Sequence, residues 1–204
     1  MSTMLANAPI TTIMPVLTAA DLALFPTDLP SGPVDYELNN GRLIIMMVPG
    51  FAHAKIQNRL GTELHMQGER LGLGVALTEV GVILWRNPDR VVGPDVAFVS
   101  RALLPPALSP EGYLETIPEL IVEVRSKNES LAELGGKVAD YLKAGVRLAI
   151  VVDPETKTAA LHRPEQPIVV LAEADTLTCD DIIPGFRLPL GNLFADLPPA
   201  TAAN

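Results

Sequence analysis

Three acids interrupt apolar runs of this chain. Glu79 is the only charge between Val75 and Leu84, Asp95 the only one between Val91 and Val99, and Glu123 sits inside the run ELIVEV at 119–124. Runs of this kind read as buried strands, where an unpaired carboxylate is costly. Carboxylates packed together repel, and burial adds a desolvation penalty, so both effects raise their pKa values unless a cation is present. A hard divalent cation such as Mg²⁺, with Mn²⁺ as its substitute, takes a few carboxylate oxygens and keeps its waters. Its chemistry is polarisation of a phosphoryl group and activation of a bound water. For one acid alone, solvent at a strand end or a pair with Arg86, Arg90 or Arg125 is a sufficient account. Asp95 and Glu123, each in mid-run, are harder to explain that way.

Phosphoryl transfer also wants a fixed positive charge near the developing negative one. Strand alternation puts Arg125 on the face of Glu123. Lys137, three residues after Leu134 and four before Tyr141, borders the apolar face of a helix; it is either a solvated surface lysine or one whose stem lies along a sheet with its ammonium at the acids. Tyr141 reads as core, its hydroxyl free to orient a neighbour. Cys179, His65 and His162 are scattered without zinc-ligand spacing.

The elements that must position these residues follow from periodicity. Asn39-Asn40-Gly41 turns a β-hairpin over residues 34–49. Ile56, Leu60, Leu64 and Leu71 mark a helix over 52–71, stopped by Gly72 and Gly74. Strands are expected over 75–85 and 91–100, joined at Asn87-Pro88-Asp89, and a third over 119–125 after a Pro-rich loop at 100–110. Leu131, Leu134, Val138, Tyr141 and Leu142 share a helical face that ends at Gly145, with Ser130 and Glu133 as a capping box. The Gly135-Gly136 pair weakens that helix. A strand over 147–154 and short strands near 159–162, 168–171 and Phe186 complete the chain. The order predicts an α/β (α+β) sandwich around one mixed central sheet. One domain is expected over 34–195, with a mobile lead-in at 1–33 and a frayed tail at 196–204.

Hydrophobic residues make up 48% of the 204, which excludes a mainly disordered chain. The net charge of −9 argues against nucleic-acid binding by a broad basic surface, though not against a local groove or a metal-bridged one. One cysteine rules out an intrachain disulfide framework and fits a reducing cytoplasm. No apolar run approaches the roughly 20 residues of a membrane span. The N-terminal segment lacks a basic region and is broken by Pro9 and Pro15, unlike a signal peptide.

Pro94-Asp95-Val96, ELIVEVRS at 119–126, Lys137 with Tyr141, and GVRLAIVVDP at 145–154 together resemble the Uma-two family of restriction-endonuclease-like proteins, within the PD-(D/E)XK nuclease superfamily. YELNNGRLI at 36–44 and IIPGFRLPLGNLF at 182–194 extend the likeness over most of the chain. The resemblance implies a restriction-endonuclease-like α-β-β-β-α-β core and an Mg²⁺-dependent endonuclease acting on DNA. It implies Asp95 and Glu123 as metal ligands. Where the superfamily pattern has a lysine this chain has Arg125, which cannot act as a base; Lys137 suits the pattern of members in which that lysine has moved to the next helix. Ser126 follows the family's E-x-x-S form. His53 stands where the family often has a histidine at a helix start, there either to meet a phosphate or as an exposed first-turn residue. Glu37 matches a recurrent hairpin acid, with a surface position in the hairpin as its simpler account. Two cuts on a duplex want two sites, which makes a homodimer an expectation. The other reading is an inactive nuclease-fold module that binds nucleic acid or a protein partner.

Overall fold

The apolar runs meet in the computed structural model, which describes residues 16–197 apart from Ser31, Met47, Pro105, Leu108 and Asn128. In chain order the elements are α1 (Ala19–Leu22), β1 (Asp28–Leu29), β2 (Gly32–Pro33), β3 (Asp35–Asn39), β4 (Arg42–Met46), α2 (Phe51–Gln67), β5 (Gly74–Thr78) and β6 (Val82–Trp85). Then come β7 (Arg90–Val92), β8 (Val96–Ser100), β9 (Leu120–Val124), α3 (Leu131–Ala144), β10 (Leu148–Asp153) and β11 (Thr158–His162). The last are β12 (Val169–Leu171), β13 (Thr176–Leu177), β14 (Leu188–Pro189) and α4 (Leu190–Phe194).

The central sheet is mixed, in the order β12-β11-β10-β9-β8-β5. Only β9 and β10 run parallel in it, and α3 supplies the crossover that a parallel pair requires. A second, antiparallel sheet has the order β4-β3-β7-β6.

Alternation along the strands sorts the core into two layers. Phe98, Leu120, Val122, Val124 and Ile150 face Ile56, Leu60 and Leu64 of α2, with Phe186 and Phe194 closing that side. Ala97, Val99, Ile121 and Ala149 face Val138 and Tyr141 of α3, together with Val82, Leu84 and Val92 of the second sheet. Each large apolar side chain so buried stabilises the fold by about 1.5–3 kcal/mol before entropy is counted.

Two expected strands prove to be four. The run over 75–85 breaks at Glu79, whose φ is 52°, so β5 joins the central sheet and β6 the second. The run over 91–100 breaks in the same way at Gly93-Pro94-Asp95, between β7 and β8. Pro94 has no N–H to give a ladder, which suits the break. Apolar composition reports burial, and both sheets bury their strands here; it does not say which sheet a strand joins.

Part of the expected lead-in is described. It holds α1, capped by Thr18 through a capping box with Asp21, and Ala19 and Leu22 are buried against Leu38, Ile83 and Val91. The Ala19 N–H donates to Asp89 Oδ2 at 2.8 Å. Residues 1–15 and 198–204 lie outside the described residues. Among the described residues no helix is long and apolar enough to cross a membrane.

Candidate functional site

The register of β8 on β9 pairs Val96 with Val122, and one step further along the same antiparallel register stands Asp95 opposite Glu123. Facing positions bring side chains within reach of each other. Both acids are nearly enclosed, at 8% and 5% exposure. Asp95 Oδ2 accepts a hydrogen bond from the Val124 N–H at 2.6 Å, which ties the corner before β8 to the end of β9.

The first turn of α2 brings His53 to the same oxygen, with Nε2 at 3.2 Å from Asp95 Oδ2. Burial disfavours the charged imidazole, but the hydrogen bond and charge of Asp95 outweigh it and hold its pKa above the ordinary value. His53 Nδ1 is buried and has no hydrogen-bond partner among the described residues. One turn later, Gln57 donates to Glu79 and, at 3.2 Å, to the Asp95 carbonyl oxygen. Burial raises the Glu79 carboxyl, with the Gln57 bond opposing.

α3 lays Lys137 and Tyr141, one turn apart, on the other side of the pair. The Ser130–Glu133 capping box fixes where the helix starts, and Gly145 stops it at φ 111°, a conformation that favours glycine. Lys137 Nζ lies 3.0 Å from Glu123 Oε1 and 2.9 Å from Glu37 Oε1. The Tyr141 hydroxyl donates to Glu123 Oε1. Burial pushes the Glu123 carboxyl up to about 8; Lys137 opposes that shift, and Asp95 and Glu37 add to it. Burial alone would lower Lys137, yet Glu123 and Glu37 overcome it and hold the ammonium above its ordinary range. Burial and the same two carboxylates keep the Tyr141 phenol protonated, well above its usual pKa.

Glu37 reaches this point from β3 of the second sheet. Its Oε1 also accepts from the Gly93 N–H at 3.0 Å, and its Oε2 lies 3.5 Å from Arg90 Nη1. Arg90 in turn donates through Nε to Asp140 Oδ2 at 2.8 Å.

The structure therefore brings Asp95, Glu123, Lys137, Tyr141, Glu37 and His53 to one place, with Glu79 joined through Gln57. All but Tyr141 of those seven acids, bases and hydroxyls line one cleft of about 1490 Å³. Arg125 also lines the cleft, but none of its hydrogen bonds reaches Asp95 or Glu123: its Nη1 donates to Asp153 Oδ2 at 2.7 Å and its backbone N–H to the Val152 carbonyl, both on the neighbouring strand β10. Ser126 is exposed on the cleft lining. Sequence reasoning missed Gln57, Arg90 as a partner of Glu37, and Asp140. Gln57 had one usable signal, its place one turn after His53 beside the apolar positions Ile56 and Leu60.

The donor chemistry suits a hard cation. The buried Glu37, Asp95 and Glu123 and the partly exposed Asp140 stand against Lys137 and Arg90, an excess of negative charge. The contacts of each central acid gather on one oxygen, Asp95 Oδ2 and Glu123 Oε1. Among the described residues no three His, Cys, Asp or Glu side chains form a metal-binding group. Two carboxylates with the remaining positions filled by water is the habit of Mg²⁺.

The comparisons with known proteins agree with this fold. Among curated proteins none matches the sequence. A crystal structure described as "a putative nuclease belonging to DUF820" from Anabaena variabilis matches with a TM-score of 0.71 and 18% identity, over 87% of this chain and 97% of that one. At that identity the likeness shows the fold. A cryo-EM structure of a DrdV–DNA complex matches with a TM-score of 0.35 and 17% identity, over 72% of this chain and 14% of that one, too low to bear on fold or ligand. The family model Uma2, "Putative restriction endonuclease", matches residues 24–191. With most of its length under that model, the chain belongs to the Uma2 family.

Proposed function

We propose that the protein is a metal-dependent endonuclease that hydrolyses phosphodiester bonds of DNA, with Asp95 and Glu123 holding Mg²⁺ and Lys137 as the fixed cation beside them. One observation carries this reading: two buried carboxylates at facing positions of neighbouring strands, with an ammonium 3.0 Å from one of them. Membership of the Uma2 family supports it. Mg²⁺ at this place supplies polarisation of a phosphoryl oxygen and a bound water of lowered pKa. The protein's own part is orientation and charge. Val124 and His53 fix one oxygen of Asp95, and Tyr141 fixes one oxygen of Glu123. Lys137, kept protonated by its two carboxylates, serves as a positive charge for the phosphate and not as a base.

The test is calorimetric titration of Mn²⁺ together with nicking of a supercoiled plasmid in Mg²⁺. The wild-type protein is expected to bind the ion and nick; Asp95→Ala is expected to lose both. Unchanged ion binding in Asp95→Ala would sink the assignment.

A second reading has its own support. Acids outnumber Lys and Arg around the cleft, and Arg125 is committed to Asp153. Both facts favour a module that binds nucleic acid or a protein partner without cutting. DNA that is bound yet stays intact across a range of Mg²⁺ and Mn²⁺ concentrations is the outcome that selects it.

A further inference from the structure

A line of alternating charges runs through the protein away from the paired acids: Glu123, Lys137, Glu37, Arg90, Asp140. Its contacts are 3.0, 2.9, 3.5 and 2.8 Å in that order. Arg90 sits near the far end, only 3% exposed, and touches neither Asp95 nor Glu123 in any of its hydrogen bonds. It does grip β3 twice, at the Glu37 carboxylate and, at 3.0 Å, at the carbonyl of the next residue, Leu38. Through Asp140 it grips α3 one turn beyond Lys137.

A buried arginine with this many partners has a bland account, the joining of a helix to a sheet. What goes further is the position of Glu37. One of its oxygens serves both Lys137 and the Gly93 N–H, and Gly93 opens the corner that carries Asp95. A shift of Glu37 therefore moves two parts of the site together. A planar guanidinium on the other side of that carboxylate, fixed by a backbone carbonyl and by Asp140, holds it in one orientation.

We propose that Arg90 is a positioning residue for the site: by fixing Glu37 it keeps the Lys137 ammonium shared between Glu37 and Glu123 and steadies the corner of Asp95. The inference rests on the reading of Asp95 and Glu123 as cation ligands, and it adds how the chain keeps Lys137 from settling on Glu123 alone. Without the Arg90 anchor, Glu37 releases its share, and Lys137 competes with an incoming cation for Glu123.

The test is a double-mutant cycle read by Mn²⁺ calorimetry on the full chain, with Arg90→Gln, Lys137→Met and the pair. Arg90→Gln is expected to weaken Mn²⁺ binding about tenfold, the scale of one hydrogen bond to a charged group. In the Lys137→Met background the same change is expected to cost clearly less, because the competing ammonium is gone and only the share of the Asp95 corner remains. An equal loss in both backgrounds would mean a structural role and overturn the proposal, as would no loss in either. Asp140→Asn loosens Arg90 from its half-exposed end and is expected to repeat the pattern more weakly, which keeps the test alive if Arg90→Gln does not fold. If the wild-type protein binds no Mn²⁺, the metal reading fails, and a separate measurement decides the positioning claim. With lysine side chains labelled for NMR, the Lys137 ammonium resonance, identified by its loss in Lys137→Met, is expected to show protected protons that Arg90→Gln abolishes. A resonance unaltered by Arg90→Gln overturns it.

Discussion

At the level of single residues, Glu123 is the group whose charge is most in question. Its folded pKa, pushed up to about 8 by burial, lies above the ordinary 4.5 that it regains on unfolding. The native protein then holds a proton that the unfolded chain has released, so the contribution to stability is full below pH 4.5 and is lost as pH rises through about 8. In a chelator, the thermal midpoint of the wild type is expected to fall over that window by more than that of Glu123→Gln, which has no such proton to lose. Parallel curves would contradict the assignment. Lys137 gives a second prediction. Lys137→Met leaves Glu123 buried without its cation and Glu37 with Arg90 alone, a loss of about 3–5 kcal/mol in denaturant unfolding. Adding Glu37→Gln removes one of the two crowded carboxylates and is expected to restore part of it.

The elements show why these residues meet. α3 must deliver Lys137 and Tyr141 to the sheet in register, and its face of Leu134, Lys137, Val138 and Tyr141 is buried at helical spacing. That spacing was legible in the sequence, apart from Leu131, which the structure leaves exposed, as were the capping box and the stop at Gly145. Gly135 lies on the opposite, exposed side, where an added Cβ would meet nothing within 4 Å. Gly135→Ala is therefore expected to raise stability by about 1 kcal/mol, measured as a shift of the denaturation midpoint. Ser130→Ala, which removes the cap, is expected to cost about 1 kcal/mol by the same measurement. The breaks at Glu79 and at Gly93-Pro94-Asp95 were not legible. Period-2 apolar patterning is the same whether a strand continues or its second half joins another sheet, and only the pairing of β7 with β3 and of β6 with β7 distinguishes them.

For the molecule as a whole, charge sets the conditions of binding. The net charge is −9, and acids dominate the cleft lining. DNA held here would meet repulsion that its usual release of counterions cannot offset. Fluorescence anisotropy of a labelled duplex at fixed ionic strength is expected to show no binding in a chelator and binding once Mg²⁺ is added. Equal binding in both conditions would point to a basic surface elsewhere on the chain.

The sequence by itself determined that Asp95 and Glu123 would be buried, though not that Glu79 would be exposed, together with the helix of Lys137 and the mixed α/β class, because burial and helical phase are written in local periodicity. The tertiary structure decided the partners. Arg125 shares the strand and face parity of Glu123, yet it passes the end of β9 and meets Asp153 across the parallel pair. Glu37, a hairpin acid that local pattern would leave in solvent, is 3% exposed because β3 lies against β7 and faces α3. Which charge answers which depends on contacts between residues 50 to 100 positions apart, such as Glu37 with Arg90 and with Lys137. No local spacing records a separation of that length.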